Sequence, residues 1–140
     1  MRTPEQILGD STTIAVVGAS RHPGKEAHTV PRQMLRHGWR IIPVNPYVDE
    51  IWGRRCYPTL GAIPETVDLV NVFRPSADTP PVAKQADAIG AKALWLQEGI
   101  ASASAREIAE AAGLDYVEDY CIAVERARSQ VTKLVTGGTP

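Results

Sequence analysis

Residues 14–35 read IAVVGASRHPGKEAHTVPRQML, and the order of parts in this stretch decides the fold. Ile14 to Val17 is a short apolar run without polar alternation, the pattern of a parallel strand covered on both faces. One glycine, Gly18, closes it. A small pair, Ala19-Ser20, and a polar loop then lead to an apolar-periodic segment that stops at His37-Gly38. Strand, glycine turn and helix in that order open nucleotide-binding α/β proteins. Pro31 lacks an N–H and fits a first helical turn, so the helix is expected to begin near His28.

The same rhythm runs through the rest of the chain. Arg40–Val44, Asp68–Phe73, Ala93–Leu96 and Tyr116-Val117 read as further strands. Thr3, Pro4 and Gln6 make a capping box for an N-terminal helix within residues 1–11, ending near Gly9. Thr79 or Asp78 caps a helix with Pro80 and Pro81 in its first turn, and Gly90 ends it. Ser104 and Glu107 form a second capping box, for a helix that stops at Gly113. From Ile122 a helical period continues through Val124, Ala127, Val131, Leu134 and Val135. Residues 47–67 are irregular and read as a degraded crossover with an edge strand at Cys56-Tyr57. Residues 136–140 read as a frayed tail. Alternating strands and helices on this spacing predict one doubly wound α/β domain over residues 1–140, with a mainly parallel sheet and helices on both faces.

The bulk properties narrow the function. The chain has 140 residues, 44% hydrophobic and 22% charged, with a formal net charge of −1. No global basic field is present to attract nucleic acid or an anionic membrane, so any anion site must be local. No apolar run reaches the roughly 20 residues of a membrane span, and residues 1–10 lack a signal-peptide core. Cys56 and Cys121 stand far apart with no CxxC spacing, which argues against a disulfide framework or a zinc ribbon. A cytoplasmic setting is expected.

In doubly wound sheets, ligands bind beyond the carboxyl ends of the strands, where the strand order reverses. The candidates are therefore the strand-end residues. Gly18, Ala19 and Ser20 offer a close backbone approach, a hydroxyl and a helix start suited to phosphate. Arg21, Lys25 and Arg32 supply positive charge around the same mouth. Val44 and Asn45, then Phe73, Arg74 and Pro75, and finally Gln97 complete the lip. A dinucleotide fits poorly: GxGxxG spacing fails after Gly18, and Asn45 stands where an NAD site carries Asp or Glu. His37 suits a helix C-terminus, while His22 and His28 lie near the mouth without the further ligands that a metal needs. Trp95 reads as sheet packing, and Arg54-Arg55 as a solvated pair or a clamp for an extra phosphate. No catalytic triad, paired carboxylates or P-loop lysine stands out.

VGAS at 17–20, PVNP at 43–46, VDLVNVFRP at 67–75, WLQEGI at 95–100 and DYC at 119–121 together resemble the small CoA-binding protein family. That family is similar to the N-terminal CoA-binding domain of the succinyl-CoA synthetase α-subunit. The resemblance spans Thr12 to Glu125. It implies a Rossmann-like fold binding coenzyme A or an acyl-CoA, with the glycine loop on the phosphates and the Asn45 and Phe73–Pro75 strand ends beside the nucleotide and pantetheine. These 140 residues are expected to leave no length for the second, histidine-bearing domain of the synthetase subunit. The expectation is a CoA-binding module without catalytic machinery, acting as carrier, sensor or responsive partner of another protein or a second copy. The competing readings are an NADP-dependent reductase, an acyl-CoA-handling enzyme completed by a partner, and a subunit whose nucleotide site has lapsed. Cys121 is crowded by Asp115, Glu118 and Asp119 and is expected to be unreactive toward the CoA thiol.

Overall fold

The computed structural model describes residues 1–135; the expected frayed tail, 136–140, lies outside the described residues. Five parallel strands form the central sheet: β1 (Thr13–Val17), β2 (Arg40–Val44), β5 (Leu69–Val72), β6 (Ala93–Leu96) and β7 (Asp115–Val117). Their order is β2-β1-β5-β6-β7, so the chain steps one way from β1 and then returns to build outward on its other side. The order reverses between β1 and β5. This is the expected Rossmann-like α/β sheet.

Successive residues of β1 show why it must lie inside. Ile14 and Val16 join one core, with Ala15 joining the other. On the first face, α1 (Pro4–Asp10), α2 (Glu26–Arg36) and α5 (Ile122–Ser129) bring Ile7, Leu8, Val30, Met34 and Ile122 against Trp95 and Ile41. On the second, α3 (Thr79–Ala88) and α4 (Ala103–Ala111) bring Val82, Ala83, Ala86, Ala105 and Ala109 against Val70, Val72 and Leu94. Both faces are covered, as an unbroken apolar strand requires. Trp95 is fully buried; its indole N–H donates to the Tyr120 carbonyl at 2.7 Å, which fits the packing role expected for it. Among the described residues, no helix is long and apolar enough to cross a membrane.

Three boundaries and the chemistry of one cap differ from the sequence reading. The α2 helix begins at Glu26, with Lys25 as N-cap, and Pro31 lies in its interior rather than its first turn. The α4 cap is Ser102, whose hydroxyl accepts from the Ala105 N–H at 3.1 Å; with alanine three residues on, no capping box forms. Asp78, one of the two expected caps, does stand at the N-cap of α3, but its side chain pairs with Arg74 at 2.8 Å instead of accepting from the first turn, and the Thr79 hydroxyl donates to the Ser76 carbonyl. The α5 helix stops at Ser129 because Gln130 takes a left-handed conformation (φ 60°). The following residues then fold back on the end of α2: the Thr132 hydroxyl and the Lys133 N–H both donate to the His37 carbonyl. Val131 packs on the first core, but Leu134 and Val135 are exposed, so the period that predicted a longer helix was fortuitous there.

The irregular segment after β2 holds a two-residue hairpin, β3 (Glu50–Ile51) and β4 (Arg54–Arg55), turned by Trp52 and Gly53, both at positive φ. The edge strand expected at Cys56-Tyr57 reduces to one parallel bridge between Val44 and Tyr57.

Candidate functional site

Beyond the carboxyl ends of β1 and β5, at the reversal of strand order, the chain leaves toward helices on opposite faces and two clefts open there. The first, about 420 Å³, lies under the loop that follows β1. Its wall includes Gly18, Ala19, Ser20, Arg21, His22 and Lys25, with Phe73 and Arg74 opposite and no carboxylate. The second, about 380 Å³, adjoins it and is walled by Val17, Val44, Pro46, Pro58 and Val82, with Arg74 and Asp78 on its rim. Gly18, Asn45, Tyr47 and Arg74 border both. Both lie within the size range of small-molecule sites.

Gly18 has a structural task before any ligand is considered. Its φ is +85°, and a Cβ there would stand 2.9 Å from the Phe73 carbonyl oxygen. The β1 and β5 exits can therefore approach only through a glycine. Asn45 joins the third strand end to the same place: its side-chain amide donates to the Ala19 carbonyl at 2.9 Å, and its oxygen accepts from the Tyr47 N–H at 2.8 Å. Both ends of that side chain are engaged. Asn45 is thus a strut between β2 and the glycine loop, and the Asx turn that it makes holds Tyr47 outward at 92% exposure.

The loop itself is held at Ser20. The Ser20 N–H donates to the Ala27 carbonyl at 3.1 Å, its carbonyl accepts from His28 Nδ1 at 2.7 Å, and its hydroxyl accepts from the His22 N–H at 3.1 Å. Trp52 reaches over from the hairpin and donates its indole N–H to the His28 carbonyl at 3.2 Å. Beyond Ser20 the loop is exposed, which leaves Arg21 and Lys25 in solvent at the cleft mouth. Lys25 as N-cap offers no acceptor, so no capping side chain closes the start of α2. The first turn of α2 carries the Glu26 carboxylate, and its His28 N–H donates to the Lys25 carbonyl at 3.0 Å, so the dipole end there faces the loop cations Arg21 and Lys25 without a capping side chain.

Of the twelve candidate residues, nine border the clefts: Gly18, Ala19, Ser20, Arg21, Lys25, Val44, Asn45, Phe73 and Arg74. Arg32, Pro75 and Gln97 do not. Arg32 lies midway along α2 with its Nε buried and unpartnered among the described residues. Pro75 is exposed ahead of the 3-10 turn at Ser76–Asp78. Gln97 is buried, and its side-chain oxygen accepts from the Ile122 N–H at 2.9 Å and from Asn71 at 3.3 Å. Sequence reasoning missed Tyr47, Val82 and Gln85 as cleft residues. Tyr47 carried a signal, since it directly follows a strand-end Asn-Pro; Val82 and Gln85 come to the cleft only through the docking of α3. A neighbouring recess contains Cys56, whose thiol is pushed up to about 11 by burial and then by Asp49 and Glu50, so it stays protonated at neutral pH.

Known proteins resemble this chain in sequence and in fold. Over 123 residues the chain is 37% identical to the uncharacterized protein YneT of Bacillus subtilis, covering 88% of this chain and 91% of that one. It is 31% identical over 119 residues to an ADP-forming acetate–CoA ligase of Archaeoglobus fulgidus, covering 78% of this chain but only 17% of the ligase. The solved structure of a hypothetical protein from Pyrococcus horikoshii superposes with a TM-score of 0.88 at 35% identity, covering 93% of this chain and 94% of that one. The profile of the CoA binding domain matches residues 12–127, nearly the extent of the resemblance read from the motifs, and the chain belongs to that family.

Proposed function

We propose that this protein binds coenzyme A or an acyl-CoA as a single-domain module, without a reaction of its own, serving as carrier, sensor or CoA-responsive partner of another protein. One observation carries the reading. In a chain of net charge −1, the cleft beneath the glycine loop gathers Arg21, Lys25 and His22, with Arg74 turned to Asp78 at 2.8 Å and no carboxylate of its own among the described residues, and a largely apolar cleft adjoins it. A ligand that is strongly anionic at one end and largely uncharged along the rest matches that division, and coenzyme A has this character. The family membership supports it. The cations and backbone amides bind and orient; no residue is assigned a catalytic role.

The alternative of an NADP-dependent reductase loses support at Asn45, because its side chain is already committed to the Ala19 carbonyl and the Tyr47 N–H. The free cysteines, Cys56 and Cys121, fit a reducing, cytoplasmic compartment, and the ligand is held non-covalently. Titration calorimetry with CoA, acetyl-CoA and NADP at one ionic strength tests the reading. CoA or acetyl-CoA should bind and raise the thermal midpoint, since a ligand selective for the folded state stabilises it. Tighter binding of NADP would overturn it.

A further inference from the structure

Pro31 interrupts the hydrogen-bond ladder inside α2, and its place is informative. In an uninterrupted helix the Ala27 carbonyl would accept from the N–H of residue 31, four positions on. Proline has no such N–H, and its ring disfavours the helix interior. Here the released Ala27 carbonyl accepts instead from the Ser20 N–H, at 3.1 Å. The next residue of α2 completes the arrangement, since His28 Nδ1 bonds the Ser20 carbonyl at 2.7 Å. The two peptide groups flanking Ser20 are thereby held on consecutive residues of one helix. His28 is itself fixed from outside: Trp52 donates to its carbonyl, and the two rings lie 5.5 Å apart.

We infer that Pro31 is a positioning residue for the glycine loop: by withholding an N–H from Ala27 it turns that carbonyl over to Ser20, and Ser20 fixes the point from which Arg21 and Lys25 reach the cleft. Glycine spacing alone does not hold this loop, which is long and exposed from Arg21 to Glu26. A preorganised loop loses less freedom when an anion binds. The inference rests on the CoA reading for its consequence in binding, but the clamp itself can be observed without ligand.

The test is Pro31→Ala, which restores an N–H able to compete for the Ala27 carbonyl. Amide hydrogen exchange in the free protein should show the Ser20 N–H losing protection by about ten-fold or more, and calorimetry should show CoA affinity falling several-fold. The thermal midpoint should change little, because alanine is the better helix former and offsets the packing lost with the buried ring. A lowered midpoint with Ser20 exchange and CoA affinity unchanged is what a packing residue would produce, and it overturns the inference. His28→Ala removes the other half of the clamp and decides the matter should Pro31→Ala fold poorly. Several-fold weaker CoA binding with faster exchange at the Ser20 N–H, the amide held in the same clamp, is expected; both unchanged overturns the inference. If the unaltered protein does not bind CoA, the functional reading fails, and the exchange data still decide the clamp.

Discussion

Two helices begin at the same edge of the sheet, in opposite ways. The α5 helix starts closed. The buried Gln97 oxygen accepts from the Ile122 N–H, Asn71 donates to that oxygen, and Glu125, 2% exposed, holds the Tyr120 hydroxyl at 2.7 Å and the Arg128 guanidinium at 2.7 Å. The α2 helix starts open, with a lysine cap that cannot accept and a carboxylate-free cleft before it. A helix start whose amide has an internal acceptor has no capacity there for a ligand; one left open beside cations does. Strand ends in one sheet are therefore not equivalent, and the residue that meets the next helix separates them.

The largest expected effect lies where both β1 and β5 depend on one atom that is missing. Gly18→Val should destabilise the whole fold. The left-handed backbone alone costs about 1–3 kcal/mol, and the Cβ contact with the Phe73 carbonyl adds to it. Chemical denaturation measures this. A variant of normal stability that has lost CoA binding would instead give Gly18 the purely ligand-facing role that its motif suggests.

Gln97→Leu tests the closed end. It leaves the Ile122 N–H without its acceptor, and an unsatisfied buried donor costs about 1–3 kcal/mol. The unfolding midpoint in urea should drop while CoA affinity, measured on the folded variant, stays within two-fold. The reverse pattern would move Gln97 into the ligand site.

At the open end the outcome should be opposite. Arg21→Ala and Lys25→Ala should each leave stability within about 0.5 kcal/mol, as surface substitutions do. If each makes a charge-assisted bond to phosphate, CoA binding should weaken about ten-fold, since such bonds contribute about 1.5–3 kcal/mol. Arg54→Ala, on the hairpin, is the control. A loss at Arg54 with none at Arg21 or Lys25 would place the phosphates at β4.

The smallest effect is a pH dependence contributed by the closed end. Burial alone would raise the Glu125 carboxyl, but the bonds from Arg128 and Tyr120 outweigh it and hold it below its ordinary 4.5. A carboxylate lowered on folding contributes stability above its unfolded value, and that contribution is lost as pH falls through the lower folded value. Denaturation midpoints of the unaltered protein should therefore fall below about pH 4.5 more steeply than those of Glu125→Gln. Parallel curves would remove Glu125 from the account.

The comparison also marks what could be read from residues alone. The four long strands were legible because each is a mainly apolar run bounded by a turn residue, and such runs have few other ways to be buried. The first helix was legible because the Thr3–Gln6 capping box is local: both of its bonds, at 3.2 and 2.9 Å, lie within four residues. The α4 start was misread because the local pattern favours Ser104, which has Glu107 three residues on, whereas the helix that packs Ala105 and Ala109 on the sheet is capped by Ser102. Pro31 was misread for a related reason. A first-turn position is the safe one for proline only when no other group takes the orphaned carbonyl, and here Ser20 takes it.

By itself, the sequence determined the alternation of strand and helix, the glycine turn after β1, the excess of cation at that turn, and the family. Each depends on residues close together in the chain, where periodicity and steric rules act directly. Tertiary structure alone decided which strand ends converge, that Asn45 and Gln97 act as struts, that Tyr47 and Val82 border the clefts, and that the Ala27 carbonyl serves the loop. Those outcomes depend on pairs such as Asn45 with Ala19, or Gln97 with Ile122, each about 25 residues apart in the chain. Whether a polar side chain faces a ligand or a buried amide depends on which groups the packed core brings within hydrogen-bond distance, and no local pattern carries that information.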